Sequence, residues 1–121
     1  MTGSPIDPEV FAGLVEMTGG EMDFVDELVD TFLEDGRNQI DGMRAALTDG
    51  DLERLGRAAH SLKSGALNVG AMDLGATCRS LEEAARAGEV PDAAARIDAI
   101  AAGFDAVRTA LLDERARRAQ G

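Results

Sequence analysis

Apolar residues recur along most of this chain at steps of three and four, the spacing of one face of an α-helix. No segment of the sequence alternates apolar and polar residues as a half-buried strand does. The clearest run follows Asp51, which is predicted to be the N-cap of its helix. Its apolar positions are Leu52, Leu55, Ala59, Leu62, Ala66 and Val69. Gly70 comes next and suits the left-handed conformation that often ends a helix. The pattern therefore predicts an all-α protein.

Capping residues and helix breakers give the bounds of the helices before this run. A short N-terminal helix is predicted to begin at Pro8, with Asp7 as its N-cap, and to end at Gly19 and Gly20. A longer helix is predicted from residue 21 to about residue 48. Gly36 lies in its middle, where glycine is unfavourable, so this segment is either one helix with a kink or two shorter helices.

Two more helices follow the central run. One is predicted from about Met72 to Ala87, and the last begins close to Pro91. The short links between the three later helices make them antiparallel neighbours. The predicted architecture is therefore an antiparallel up-down four-helix bundle with a short additional N-terminal helix, of undetermined handedness. The whole chain, 1–121, forms one domain, with a core at about 7–115 and a polar C-terminal tail that frays.

Composition narrows the possible functions. The net charge of −11 argues against nucleic-acid binding, which depends on clustered lysine and arginine. Residues 1–50 hold twelve acidic residues and two arginines, whereas residues 51–121 hold eleven acidic and ten basic residues. The sequence has no signal-peptide pattern and no apolar stretch of the roughly 20 residues that span a membrane. Cys78 is the single cysteine and is assigned to the core. We therefore expect a soluble, cytoplasmic protein without membrane association.

His60 and Lys63 are the only histidine and the only lysine, and they are three residues apart. At 100° per residue, His60 lies roughly 130° from the centre of the apolar stripe, so its imidazole is predicted to face water. Gly56 and Ser64 lie one turn away on either side, and their small size is predicted to leave room for another molecule. Leu67, an apolar residue on the same face, fits a docking patch or helix packing equally well.

An exposed neutral imidazole is a nucleophile that needs no helper base. A hydrolase or a metal site would require more side chains than one histidine supplies. Phosphoryl transfer instead depends mainly on positioning and charge neutralisation, since the metal and the acidic groups can belong to the other reactant. The pattern thus predicts that His60 carries a phosphoryl group and that Lys63 offsets the charge on the phosphoryl oxygens.

The segment "AAHSLKSGALNVGAMDLGATCRSLEEAARAG" resembles the signature of histidine-containing phosphotransfer (HPt) domains, which relay phosphoryl groups in multistep two-component signalling. The A-H-x-L-K-[GS] core of the family is matched by Ala59, His60, Leu62, Lys63 and Ser64. The turn and the helix that follow are matched by Asn68, Gly70, Ala71, Leu74, Cys78, Leu81 and Glu82. The resemblance covers roughly residues 10–112.

This resemblance implies phosphorylation of His60 on a ring nitrogen and exchange with an aspartate on the receiver domain of a response regulator or hybrid histidine kinase. It implies that Lys63 stabilises the phosphoryl group, with Ser64 and Arg86 as supporting residues. No cofactor is expected on this chain, since Mg²⁺ is expected on the receiver, and the chain is expected to be a monomer. The residues predicted to contact the partner are Gly56, Leu67, Arg79 and Glu82.

One alternative concerns the surface of the fourth helix. Its residues Arg79, Glu82 and Arg86 also fit a solvated ion-pair ladder on one flank of that helix, and some family members have a neutral amide in place of Glu82.

Two further alternatives concern the function of the chain. The chain is a phosphocarrier rather than an enzyme, or else a degenerate bundle that binds receivers without transfer. A third alternative, a fragment of an autokinase, is disfavoured because the sequence contains no glycine-rich nucleotide motif.

Overall fold

A computed structural model describes residues 4–120 of the chain, and for residues 119 and 120 it describes the backbone alone. The described residues form five α-helices and no strand, as the hydrophobic pattern predicts. The helices are α1 (Pro8–Met17), α2 (Met22–Asp49), α3 (Leu52–Asn68), α4 (Met72–Ala87) and α5 (Ala93–Gln120).

The caps predicted from the sequence set the starts of α1 and α3. The Asp7 carboxylate accepts a hydrogen bond of 2.9 Å from the Glu9 N–H, and the Asp51 carboxylate accepts one of 3.0 Å from the Arg54 N–H. Each bond satisfies a donor that the first helical turn would leave unpaired. After α3 the chain reverses through Gly70, whose φ is 86°. This tight reversal sets α3 and α4 side by side.

Gly36 neither kinks nor divides α2, which runs unbroken for 28 residues. A Cβ atom at Gly36 would lie 2.7 Å from Cζ of Phe104 and still closer to the neighbouring ring carbon. The glycine therefore lets the aromatic ring of α5 approach the backbone of α2. The sequence pattern correctly indicates that glycine is unusual at this position. The reason is the close contact between α2 and α5.

The four long helices pack in a closed cycle: α2 contacts α3, α3 contacts α4, α4 contacts α5, and α5 contacts α2. The short α1 contacts α2 and α3. The last helix contributes an apolar stripe at steps of three and four, and all five of its positions are buried: Ile97, Ile100, Phe104, Val107 and Leu111. None of the described helices combines the length and the apolarity that crossing a bilayer requires.

The two ends of α5 differ from the sequence prediction. The helix begins at Ala93 rather than near Pro91, because Asp92 has a φ of 55° and interrupts the backbone between them. The polar tail predicted to fray stays helical to Gln120. Arg115 Nη1 lies 2.8 Å from Asp30 Oδ1, and the guanidinium of Arg118 lies 5.4 Å from the centre of the Phe11 ring. These contacts bind the tail to α2 and α1.

Candidate functional site

His60 lies at the middle of α3 with 53% of its side chain exposed, so the prediction that the imidazole faces water is confirmed. The ring is not free on all sides, however. Its Nδ1 atom lies 2.9 Å from Oε2 of Glu82 on α4. One edge of the ring is therefore held by a neighbouring helix, and the other edge faces outward.

Glu82 is the buried centre of this site, with 3% of its side chain exposed. Three side chains converge on its carboxylate. Oε1 is 2.8 Å from Lys63 Nζ, and Oε2 is 2.7 Å from Arg86 Nη2 as well as 2.9 Å from His60 Nδ1. A buried charge of this kind persists only when it is paired and hydrogen-bonded, and this one is.

The predicted place of Glu82 on a partner-contacting surface is wrong, as is its alternative place in a solvated ladder, because its carboxylate is inside the protein. The sequence held a signal that the prediction did not use. Glu82 follows Cys78 by four residues and precedes Ala85 by three, so it lies on the apolar stripe of α4. A carboxylate on an apolar stripe requires cationic partners, and Lys63 was the nearest basic residue on the preceding helix.

The hydrogen bond from Lys63 lowers the pKa of Glu82 below its ordinary value, and His60 and Arg86 act in the same direction against the effect of burial. The carboxylate is therefore ionised at neutral pH and can only accept hydrogen bonds. It follows that Nδ1 of His60 carries a proton and donates a hydrogen bond to Glu82. In the neutral ring the lone pair is then on Nε2, which lies on the outward edge.

Lys63 is less exposed than a free surface lysine, with 21% of its side chain accessible. Its ammonium donates a hydrogen bond to the buried carboxylate of Glu82. Cys78 is buried, and burial raises the pKa of its thiol to about 12 although the charge of Lys63 opposes this. Cys78 is thus an inert core residue, as predicted.

Gly56 lines the same surface depression as His60, so its role in leaving room for another molecule stays a prediction. The residue is buried against α4, and a Cβ atom at this position would lie 3.3 Å from Cβ of Ala85. The glycine brings α3 and α4 close enough for Glu82 to reach His60. Ser64, by contrast, is exposed, as predicted.

The ion-pair ladder predicted on α4 is only partly part of the site, because its two arginines pair with different glutamates. Arg86, with 72% of its side chain exposed, pairs with Glu82 and so belongs to the site. Arg79, with 70% exposed, pairs at 3.4 Å with Glu83 instead. Of these two arginines, therefore, only Arg86 pairs with Glu82, the residue that is hydrogen-bonded to the imidazole.

Two surface depressions include Ser61, the residue that follows His60. One has a volume of about 540 Å³ and is lined by His60, Arg86 and Arg57, together with Gly56 and other residues of α3 and α4. The other, called here the apolar groove, has a volume of about 690 Å³ and lies between α1, α2 and α3. Its lining includes Leu14, Met17, Leu28, Asp35, Ser61 and Leu67. Ser61 lines both depressions, whereas His60 lines only the first.

Leu67 takes part in helix packing, and its place in a docking patch stays a prediction. Its side chain is 42% exposed and lines the apolar groove. It also packs over α4, since a Cβ atom at Gly75 would lie 2.7 Å from Leu67 Cδ2. The leucine is thus fixed in position by helix packing while part of its surface stays accessible.

Comparisons with known proteins agree with this geometry. The family model of the Hpt domain matches residues 27–110. The crystal structure of histidine-containing phosphotransfer protein B (HptB) from Pseudomonas aeruginosa PAO1 is similar to this structure, with a TM-score of 0.88 and 37% sequence identity. The alignment covers 96% of this chain and 98% of that chain. The comparison with curated proteins gave no match.

Proposed function

This chain belongs to the Hpt family of phosphorelay phosphotransfer proteins, and we propose that His60 accepts a phosphoryl group from the aspartyl phosphate of one receiver domain and passes it to the aspartate of another. The observation that carries this proposal is the pairing of an exposed imidazole with a buried carboxylate, His60 Nδ1 with Glu82 Oε2. The family consists of phosphocarriers, so the chain takes part in transfer without hydrolysing a nucleotide itself.

In the proposed step, the lone pair on Nε2 of His60 attacks the phosphorus atom of the aspartyl phosphate. An N–P bond forms as the P–O bond to the aspartate breaks, and the bonding electrons leave with the carboxylate. No proton has to move on this chain, because Nδ1 keeps its proton and its hydrogen bond to Glu82. The ring gains positive charge as Nε2 becomes bonded, and the adjacent carboxylate stabilises that charge. The reverse step returns the phosphoryl group to a second receiver.

Lys63 and Arg86 supply positive charge beside the reacting group. The ammonium of Lys63 lies 2.8 Å and the guanidinium of Arg86 2.7 Å from the carboxylate of Glu82, so both side chains are in position before a partner binds. Such preorganised charges reduce the reorganisation needed as the phosphoryl group is transferred. Ser64, exposed one turn after His60, is a further hydrogen-bond donor for a phosphoryl oxygen.

The fold suits this role because the site is built on two packed helices rather than on loops. The closed cycle of contacts from α2 to α5 supports an antiparallel up-down four-helix bundle, with α1 as an additional N-terminal helix. We propose that the chain acts as a monomer and that Mg²⁺ is held by the receiver. The cytoplasmic location inferred from the sequence stays a prediction.

The decisive experiment follows a ³²P label from a receiver domain, phosphorylated with labelled acetyl phosphate, to the full chain. We expect a label that is labile in acid and stable in base, as phosphohistidine is, and its complete loss in His60→Gln. Label on the His60→Gln variant would refute the site. Binding of the receiver without any transfer of label would refute the carrier role and favour a scaffold.

Lys63→Met tests the second residue, because methionine keeps much of the apolar stem but removes the charge. We expect single-turnover transfer to slow by about tenfold, the effect of about 1.4 kcal/mol on the barrier. Arg54→Met is a matched control, since Arg54 lies on the same helix and pairs with Asp49 rather than Glu82. Equal rates for the Lys63 variant and the unmodified chain would show that Lys63 serves only to pair with Glu82.

A further inference from the structure

Arg57 lies one turn before His60 on α3 and pairs with Glu53 rather than with Glu82. Residues three apart on a helix are neighbours on its surface, and both Arg57 and His60 line the depression of about 540 Å³ between α3 and α4. Lys63 lies one turn after His60 on the same helix. The helix therefore places one cation on the N-terminal side of the imidazole and another on its C-terminal side.

The ion pair of Arg57 differs from the pairs at Glu82 because both of its members are solvated. Arg57 Nη1 lies 2.7 Å from Glu53 Oε1, with 66% of the arginine side chain and 82% of the glutamate side chain exposed. A pair between two such groups contributes little to stability, so it breaks at little cost. Arg57 is therefore available to a stronger anion beside it.

Lys63 and Arg86 are held more firmly. Each is paired with the carboxylate of Glu82, which is buried and therefore depends on cationic partners. If either side chain turned fully toward a phosphoryl group, a buried negative charge would be short of a partner, which is strongly unfavourable. A phosphorylated side chain carries about two negative charges on its terminal oxygens, and these attract the cation that moves at the lowest cost.

Building on the proposed function, we propose that Arg57 leaves Glu53 when His60 becomes phosphorylated and that its guanidinium then donates hydrogen bonds to the phosphoryl oxygens. The planar guanidinium suits this role, since two of its N–H groups match two oxygens of a phosphoryl group at once. Glu53, Arg57 and His60 line the same depression, so the exchange needs only a rotation of the arginine side chain. The exchange stabilises the phosphorylated form of the chain relative to the unphosphorylated form.

The test measures the equilibrium of phosphoryl transfer between a ³²P-labelled receiver domain and the full chain, as the ratio of the forward and reverse rate constants. A contact that only helps the receiver to dock changes both rate constants equally, whereas a contact with the phosphoryl group changes their ratio. We expect Arg57→Met to shift the equilibrium toward the receiver by about three- to tenfold, the effect of one charge-assisted contact at an exposed site.

Arg54→Met is the matched control for this substitution. Arg54 also lies on α3 and pairs with an exposed acid, Asp49, but it does not line the depression at His60. We expect it to change the equilibrium by less than about twofold.

Glu53→Gln should have the opposite effect, because it releases Arg57 for the phosphoryl group. We expect a shift toward the phosphorylated chain of about two- to fourfold. Loss of a negative charge near His60 favours phosphorylation by itself, so the same substitution is also made in the Arg57→Met chain. There we expect less than about half of that shift, since no arginine remains to be released.

Three outcomes would overturn the proposal: an unchanged equilibrium in Arg57→Met, equal shifts in Arg57→Met and Arg54→Met, or an equal effect of Glu53→Gln with and without Arg57. An unchanged equilibrium with slower transfer in both directions would assign Arg57 to binding of the receiver instead.

A failure of the proposed function, in which no receiver labels His60, is distinguished by a second measurement. Phosphoramidate transfers its phosphoryl group to imidazole and releases ammonia, so it supplies phosphorylated His60 without a receiver. In the ¹⁵N-labelled chain treated in this way, we expect the Nε signal of Arg57 to shift and that of Arg54 to stay in place. An unshifted Arg57 signal would overturn the exchange whether or not receivers act on this chain.

Discussion

The imidazole of His60 on α3 and the carboxylate of Glu82 on α4 lie 2.9 Å apart, between Nδ1 and Oε2. One group is half exposed and the other is buried, so the pair joins the surface of the bundle to its interior. The carboxylate also accepts a hydrogen bond from Lys63 and forms a salt bridge with Arg86, so it fixes the orientation of the ring and places two positive charges next to it. Glu82 is thus a positioning residue, which acts on the phosphoryl group through His60.

Glu82→Gln should change the tautomer of His60. A glutamine amide can donate a hydrogen bond to Nδ1, which then has to carry the lone pair, so the proton moves to Nε2 and blocks the nucleophile. We expect the ¹⁵N signals of the ring to shift from the Nδ1–H form toward the Nε2–H form. Transfer should slow by about 10- to 100-fold, since the required tautomer becomes a minor species. Unchanged ring signals together with slow transfer would mean that Glu82 acts by charge alone.

The stability of the fold should depend on the ionisation of Glu82. Because the pKa of Glu82 is below its ordinary value of 4.5 in the folded chain, the ionised carboxylate stabilises the fold above that pH, and this stabilisation is lost as the pH falls through the lower value. At pH 7 we expect Glu82→Gln to lower the free energy of unfolding by about 1–3 kcal/mol, because the hydrogen bond from Lys63 and the salt bridge with Arg86 lose their buried, ionised acceptor.

Urea unfolding at a series of pH values from 7 to 3 measures this contribution. The difference between the unmodified chain and Glu82→Gln should be constant above pH 4.5 and should shrink below it. Other acids titrate in both proteins, so their effects cancel in the difference. A difference that stays constant down to pH 3 would contradict the proposed ionisation.

Arg86 and Arg79 form a matched pair on α4, since both are arginines with about the same exposure and each contacts a glutamate four residues away in sequence. Arg86→Ala removes a charge held 2.7 Å from the carboxylate of Glu82, whereas Arg79→Ala removes one paired with Glu83. We expect Arg86→Ala to slow single-turnover transfer by about three- to tenfold and Arg79→Ala by less than twofold. Recovery of the rate in Arg86→Lys would attribute the effect to charge. Equal losses in both alanine variants would argue for a general effect of net charge.

Two glycines in the interior of α2 should respond to alanine in opposite directions. Gly36→Ala places a methyl group against the ring of Phe104, within 2.7 Å of Cζ, and we expect a loss of stability of about 1–3 kcal/mol from overpacking. At Gly42 a Cβ atom would meet nothing within 4 Å, so Gly42→Ala should stabilise the fold by about 0.5–1 kcal/mol through helix propensity. Thermal unfolding of the two variants measures both effects. A stabilised Gly36→Ala would show that α5 can move away from α2.

The sequence by itself determined the all-α class, the caps of α1 and α3 and the outward direction of His60. These features depend on interactions within about one turn of the chain, such as the bond from Asp51 to the Arg54 N–H or the left-handed turn at Gly70. The periodicity of α3 also gives the angle between the imidazole and the apolar stripe, which needs no knowledge of other helices.

Only the tertiary structure decided what surrounds the imidazole. A helical pattern tells which face of a helix is apolar, but not which neighbouring side chains meet a position at its border. Glu82 is buried because Lys63, His60 and Arg86 converge on it from two helices, and Gly56 is buried because α3 and α4 approach closely there. Likewise, the tail of α5 is helical through its contacts with α1 and α2. Such positions depend on contacts between residues far apart in the sequence, and these exist only once the helices have packed.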